Sequence, residues 1–354
     1  MNVSQTWTFA KVEEVTRPDA LVLQPINVGG TLEHFDPLLK IVYSKRLILK
    51  HFQHIKVSTC SFLAKATHGT MSSEQDLPSV LSMEVDVENE DESEYRLLVN
   101  KHVKYLKVAP NTFERDVLSF PLESLPPLPF SDPSWKVAQI FRQPGSSKLN
   151  VVLSYRNLAA VQNVWHSIRV DVLDLDKVVQ LTAAAFEAML PTSTIISSAS
   201  ASHSSSREVR VIAKIARFEW EIPRIERETR AYQILEQQQV ASGITPRFLG
   251  HLHEHGRVMG FIIEKMDDRQ HASLNHLEAC EMALAEFHKF GLHGDVNRHN
   301  FLVGQDGEVT LLDFERFEED ATADSKAKEM QSLRSELTDN SGRGGGFRSG
   351  DFVD

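Results

Sequence analysis

Hydrophobic and polar positions change rhythm several times along the chain, and each change marks an element. Residues 151–155 and 165–175 alternate, which predicts strands, whereas residues 177–190 have the spacing and composition of a helix. Alternation returns over residues 209–218 and sets Lys214 on one face of a strand. Ile222, Ile225, Tyr232 and Leu235 then form the apolar stripe of an amphipathic helix. Residues 248–253 and 257–264 read as two strands around Glu254, His255 and Gly256. A second helix is predicted by Leu277, Cys280, Leu284 and Phe287, with Asn275 and Glu278 placed as a capping pair and Gly291 as its stop. Two short apolar runs follow, 301–303 and 309–312, joined by the turn formers Gln305, Asp306 and Gly307.

Elsewhere the rhythm is weaker. Residues 1–130 mix short apolar runs, 21–23 and 38–42, with an acidic cluster at 84–94 that reads as a solvated loop. Prolines concentrated between 121 and 133 exclude an inner strand or an unbroken helix, so this segment is a connector and a domain boundary is expected near 121–150. Serine and threonine dominate residues 192–206, which makes a flexible loop. The glycine-rich tail from Ser341 is too poor in apolar side chains to pack and is expected to be disordered.

Composition narrows the class. With 38 Lys and Arg against 49 Asp and Glu, the net charge of −11 opposes a surface built to grip nucleic acid. A chain of 354 residues is long enough for two ordinary cores. No apolar run reaches about 18 residues, and the first residues lack a basic then apolar leader. Cys60 and Cys280 lie far apart and read as free thiols of a reducing compartment. The expectation is a cytoplasmic protein that engages neither membrane nor nucleic acid.

The chemistry concentrates in residues 292–317, LHGDVNRHNFLVGQDGEVTLLDFERF. The paired runs bring together Asp295, Asn300 and Asp313, three oxygen ligands at loop or strand ends. Hard divalent cations take such a set, and magnesium needs only one or two carboxylates beside phosphate oxygens. His293 reads as a hydrogen bonder behind the loop. His251, His253 and His255 alternate along a strand, but no carboxylate or cysteine cluster nearby completes a metal shell, so they read as a polar hairpin face.

HGD, four further residues, Asn300, and then a hairpin ending in DFE resemble the protein-kinase-like superfamily, in which H-R-D-x-x-x-x-N and D-F-G hold this chemistry. Val211, Ile212, Ala213 and Lys214 resemble its V-A-I-K strand. Glu228 on the following helix is then the partner of Lys214, with Glu226 and Glu221 as rivals. The run ending in Glu264, Lys265 and Met266 resembles the segment that offers backbone groups to adenine. The resemblance spans about residues 208–317. It implies an α+β, two-lobed kinase-like fold, with an N-lobe over 151–266, a reduced C-lobe over 267–340, an accessory region over 1–130 and a tail over 341–354.

The same resemblance implies an ATP-dependent phosphotransferase acting on a hydroxyl of a protein or small molecule. Lys214 and Glu228 would steady the ATP phosphates, Asn300 and Asp313 would hold Mg2+, and Asp295 would orient the acceptor. Gly294 and Glu315 replace the Arg and Gly of eukaryotic protein kinases, as in aminoglycoside phosphotransferases. The short C-terminal part is similar to RIO-type kinases, and the chain as a whole to a set of fungal kinase-like proteins. No glycine-rich loop precedes Lys214; the serine-rich residues 197–206 stand in its expected place. The competing expectation is therefore a pseudokinase that binds or scaffolds without useful ATP affinity. A stand-alone nucleic-acid binder is disfavoured by charge, and Arg343 and Arg348 in the tail are the only pointers toward one.

Overall fold

The computed structural model describes the backbone of residues 8–14 and 21–27, and residues 78–345 apart from 87, 120, 121, 123, 144, 192, 193, 195–207 and 239–242. Cys60, the apolar run at 38–42, the serine-rich run at 197–206 and the tail beyond 345, with Arg348, lie outside the described residues. The chain divides into two compact units, Met1–Lys50 and His51–Asp354. In the first, β1 (Thr8–Glu14) and β2 (Leu21–Asn27) pair antiparallel.

The second unit is a mixed α+β structure with several sheets and few helices. Strands β3 (Ser79–Glu84), β4 (Ser93–Val99), β5 (His102–Val108), β6 (Val137–Arg142) and β7 (Leu149–Ser154) form one sheet in that order. The middle of the acidic cluster lies between β3 and β4, whereas its ends are not loop: Glu84 closes β3 and pairs with Glu94 of β4, and Ser93 is buried. Helix α1 (Arg115–Leu118) and the proline-rich connector carry the chain from β5 across to β6, and these two strands pair parallel. The sheet therefore runs straight through the segment where the sequence places a boundary. Leu122, Leu125, Leu128 and Phe130 of the connector pack on the core around Tyr95, Leu106 and Trp135. Prolines remove backbone donors without removing apolar contact, which explains how a connector can also be a lid on a sheet.

A second sheet of six strands has the order β8-β12-β13-β11-β10-β9, built from β8 (Arg169–Asp171), β9 (Asp176–Gln180), β10 (Ala185–Pro191), β11 (Glu208–Ile215), β12 (Phe248–Glu254) and β13 (Arg257–Glu264). Helix α2 (Ile222–Gln237) follows β11 and buries Ile222, Ile225, Tyr232 and Leu235, the stripe read from sequence. Two expectations fail in this sheet. Residues 177–190 are the hairpin β9-β10 rather than a helix, because β10 pairs with β11 from Ala185 to Pro191 and this pairing overrides the alanine-rich composition. Residues 165–175 give only the short β8, since Asp171 accepts a bond from Leu173 N at 3.0 Å and turns the chain into a 3-10 turn, Val172–Asp174.

Helix α3 (Leu277–Phe287) turns Cys280, Leu284 and Phe287 inward as expected. Its entry is different: a 3-10 turn, Leu274–His276, precedes it, and His276 accepts from Ser273 N at 3.1 Å, so Asn275 and Glu278 are not its cap. Strands β14 (Gln270–His271), β15 (Phe301–Val303) and β16 (Val309–Leu311) form the small sheet that carries the hairpin, and α4 (Ala323–Thr338) closes the described chain. An aromatic column ties these parts together. Phe314 stacks on Phe287 at 5.0 Å and meets Tyr232 edge-on at 5.3 Å, while Tyr232 lies 5.6 Å from Phe261. Phe314 directly follows Asp313, so the core fixes where that carboxylate stands.

The two large sheets are joined by buried charge. Glu254 of β12 receives Arg96 of β4 at 2.5 Å, the Tyr105 hydroxyl of β5 at 2.9 Å and Arg257 at 3.2 Å. Val103, Tyr105 and Val137 of the first sheet pack with Phe218 below them. Removing one side of a buried ion pair strands the other in a medium that solvates it poorly. Glu254→Ala is expected to cost about 3–5 kcal/mol in urea unfolding, and a loss under about 1 kcal/mol would mean that the cluster is hydrated and idle.

Candidate functional site

Lys214 sits on β11 between Ala213 and Ile215 and is 9% exposed. Its ammonium has three carboxylates around it: Glu228 Oε2 at 2.6 Å, Asp313 Oδ1 at 2.6 Å and Glu315 Oε1 at 3.1 Å. Of the three acids proposed from sequence as its helix partner, Glu228 is the one that reaches it. Glu221 is turned to Arg217 at 2.7 Å, and Glu226 accepts from the backbone of Gln162 and Asn163 at 2.7 and 2.9 Å. The helical stripe decides this outcome, because Glu228 lies on the same buried face as Ile225 and Tyr232.

The electrostatics follow from three acids sharing one base. Burial alone would lower the Lys214 pKa, yet Asp313, Glu228 and Glu315 outweigh it and hold the ammonium well above its usual value. Burial lifts Glu228 to about 7, with Lys214 opposing and the other two acids assisting. Burial also pushes Asp313 up, but Lys214 prevails and its pKa falls below the ordinary aspartate value. Both partners of the Lys214–Glu228 pair thus retain protons more firmly than in water, as a site with surplus negative charge requires.

Glu228 gives a pH prediction with a definite sign. Its folded pKa is raised, so the folded state holds a proton that the unfolded state has released between pH 4.5 and about 7. Its contribution to stability is whole below pH 4.5 and is lost as pH rises through 7. Buried histidines such as His251, lowered to about 4, work in the opposite direction. The comparison must therefore be with Glu228→Gln: the stability difference between wild type and variant should shrink by about 3 kcal/mol from pH 4.5 to 7.5. A flat difference would show that Glu228 is ionised throughout.

The hairpin supplies the remaining groups. Leu312 N donates to the carbonyl of Asn300 at 2.9 Å, which closes the β15-β16 ladder and sets Asn300 beside the strand end that leads into Asp313. Asp313 has a left-handed backbone, φ +65°, a conformation that aspartate tolerates better than most residues. Its side chain remains 39% exposed while Phe314 is fully buried. Asn300 donates its Nδ2 to the carbonyl of Asp295 at 2.8 Å, so the two ends of the HGDVNRHN loop are latched through the amide nitrogen, and the latch does not use Oδ1.

His293 does what its sequence position suggests. It is buried, its Nε2 meets the Leu312 carbonyl at 2.9 Å, and its Nδ1 accepts from Asp295 N at 3.3 Å. Burial lowers its pKa, which favours the neutral ring that both contacts require. Gly294 has φ +82°, and a Cβ there would run into the Arg316 carbonyl. An arginine at this position is therefore sterically excluded, which is the physical reason for the glycine.

Three contributors were not found from sequence. Glu329 of α4 braces the loop, accepting from Gly294 N at 2.6 Å, His293 N at 3.2 Å and His288 Nε2 at 2.7 Å. Leu333 and Leu337 on the same helix, spaced by four, were the available signal for it. Glu315 joins Lys214, although its sequence mark was only that it replaces a glycine. Arg343 reaches Asp295 Oδ1 at 3.5 Å and also binds Glu336, so residues 341–345 fold back on the loop where disorder was expected. Glu336 and Asp339 of the helix end hold this arginine, and composition alone does not see such long-range pairing.

The remaining sequence candidates are placed as follows. Glu264 ends β13 opposite Val211, three residues along β11 from Lys214 or about 10 Å. Its N–H donates to the Arg247 carbonyl at 2.9 Å and is therefore not offered to a ligand. His251 is buried and accepts from His166 N at 3.2 Å, His253 lies 3.4 Å from Asp171, and His255 occupies the turn with φ +50°. His255 N also donates to Asp171 Oδ2, at 3.2 Å, so His253 and His255 share that carboxylate while His251 is buried apart from them. The turn beside Lys214 is formed by residues 181–184 between β9 and β10, whereas the serine-rich run joins β10 to β11. It contains no glycine, and Leu181 N and Thr182 N both donate to the Ala185 carbonyl, at 2.9 and 3.0 Å.

Next to Asp295 opens a recess of 320 Å³ lined by Arg224, Arg227, Asp295, Glu315 and Arg316. Arg227 Nε donates to the Glu315 carbonyl at 2.6 Å and so pins α2 to the segment after Asp313. Among the described residues, no helix is long and apolar enough to cross a membrane. Compared with protein-family models and with curated proteins, the chain matches none of them.

Proposed function

We propose that the chain is an ATP-dependent phosphotransferase of protein-kinase-like architecture, with the six-stranded sheet and α2 as its first lobe and residues 267–340 as its reduced second lobe. The observation that carries this reading is the meeting of Lys214, Glu228 and Asp313 at 2.6 Å, from elements far apart in sequence. A strand lysine locked to a helix carboxylate is held at fixed length for the ATP phosphates. Glu264, about 10 Å away along the sheet, and Met266 just beyond the end of β13 then face the base.

The donors fit a hard divalent cation. Three carboxylates with one ammonium leave surplus negative charge, Asp313 faces outward, and the Asn300 amide oxygen is not used by the loop latch. Asn300 and Asp313 would hold Mg2+, which neutralises charge on the transferred phosphoryl group when bound. Asp295 accepts the hydrogen bond of an acceptor hydroxyl and takes up its proton. The new O–P bond forms as the bond to the ADP oxygen breaks, and positioning supplies most of the acceleration. Arg343 must release Asp295 for this to occur.

One observation favours a second reading, a pseudokinase scaffold. The turn at 181–184 has no glycine and uses amides internally, so it offers little to phosphates. A melt with and without 5 mM Mg·ATP separates the two. The enzyme reading expects a rise of several degrees that needs magnesium and is lost in Lys214→Ala; an unchanged midpoint in the wild type assigns the chain to scaffolding.

A further inference from the structure

The recess beside Asp295 is unusual for so acidic a chain. Arg224 and Arg227 enter it from α2, and Arg316 enters from the segment after Asp313. Several arginines elsewhere in the second unit are paired with acids, Arg96 with Glu254, Arg217 with Glu221 and Arg230 with Glu319, while Arg142 is held by the carbonyls of Thr112 and Ser147. Among the described residues, none of the three recess arginines has a carboxylate partner within ion-pair distance. Arg224 lies over the Trp220 ring at 5.1 Å, and Arg227 is bound to a carbonyl. The two acids that share the recess face other cations, Glu315 toward Lys214 at 3.1 Å and Asp295 toward Arg343 at 3.5 Å. Three guanidinium groups around one opening repel one another until an anion enters.

We propose that this recess binds a phosphomonoester carried by the acceptor, so that the preferred acceptor is already phosphorylated close to the hydroxyl presented to Asp295. The assignment of that hydroxyl rests on the phosphotransfer reading above. A phosphomonoester matches the recess better than a carboxylate, because it brings nearly two charges and three acceptor oxygens to three planar donors. The phosphates of ATP are the other source of such an anion. Lys214, Glu228 and Asp313 do not line the recess, however, and of the groups around the lysine Glu315 alone is shared with it.

Calorimetry on the full chain, without nucleotide, tests the idea with two matched pairs: a serine-rich peptide with and without one phosphoserine, and glycerol with and without one phosphate. The phosphorylated member of one pair should bind at least about tenfold tighter than its twin, and that pair identifies the acceptor as peptide or small molecule. In Arg224→Gln/Arg316→Gln, both positions exposed, the advantage should fall below about threefold. The Mg·ATP-dependent melting shift of this variant should remain, which also certifies its fold. Twins that bind alike in both pairs would overturn the proposal, as would an advantage that survives in the variant or displacement of the phosphorylated ligand by Mg·ATP. Phosphate-dependent binding in a wild type without any Mg·ATP shift would uphold the anion site and overturn the phosphotransfer reading instead.

Discussion

Asp313→Asn is expected to lower phosphoryl transfer by about a hundred- to a thousand-fold or more while leaving the fold intact. The substitution keeps shape and removes the charge that the hairpin holds at the open end of β16. Activity should fall because the charge that balances Lys214 is lost, and an amide in place of the carboxylate leaves the proposed cation with two neutral side-chain ligands, that amide and Asn300, and no charged one. Stability should not fall with it. Asp313 is one of three acids crowding one ammonium, and it is among the neighbours that raise Glu228. Without it, repulsion is relieved, and the Glu228 titration should move down toward the ordinary glutamate range. Single-turnover transfer, the melting midpoint and the pH dependence of stability read these effects separately. Turnover within threefold of wild type would remove Asp313 from the proposed chemistry.

Lys214→Met should act on stability as well as on nucleotide binding. Glu228 is 1% exposed and loses the one cation beside it. The buried carboxylate then either stays charged, at a cost of about 3–5 kcal/mol, or takes up a proton, which becomes harder as pH rises. Destabilisation is therefore expected to be small at pH 6 and to grow to that range by pH 9. Adding Glu228→Gln should recover most of the loss, since a neutral amide needs no counter-charge. Urea titrations of the single and double variants at the two pH values check this. Both variants should also lack any Mg·ATP shift. A pH-independent loss that Glu228→Gln fails to rescue would show that Lys214 acts by packing alone.

The parts of the site that lie on regular elements were legible in the chain. Alternation and helical spacing place Lys214 on one face of a strand and an apolar stripe on the next helix. It was the resemblance to a lysine strand followed by a glutamate helix that favoured Glu228 over Glu226 and Glu221 as the partner. Asn300 and Asp313 were readable because a short hairpin leaves little freedom for its ends. Other features depended on distant partners. The hairpin at 177–190 looked helical because its alanines favour helix, and only pairing with β11 determines otherwise. Glu329 and Arg343 reach the loop from residues whose local sequence says nothing about where α4 docks. The arginine recess assembles from α2 and a turn some ninety positions later, a juxtaposition that no periodicity encodes.

The charge cluster at Glu254 bears on how the strand that carries Lys214 is held in place. Arg96 and Tyr105 lie on a sheet that ends before residue 155, yet they hold the strand next to β13, which in turn registers β11 and Lys214. A fragment beginning after β7 would leave Glu254 without two of its three partners and would expose Phe218. The upstream sheet is thus part of the foundation on which the strand of Lys214 rests. The two sheets should be gained or lost together in folding.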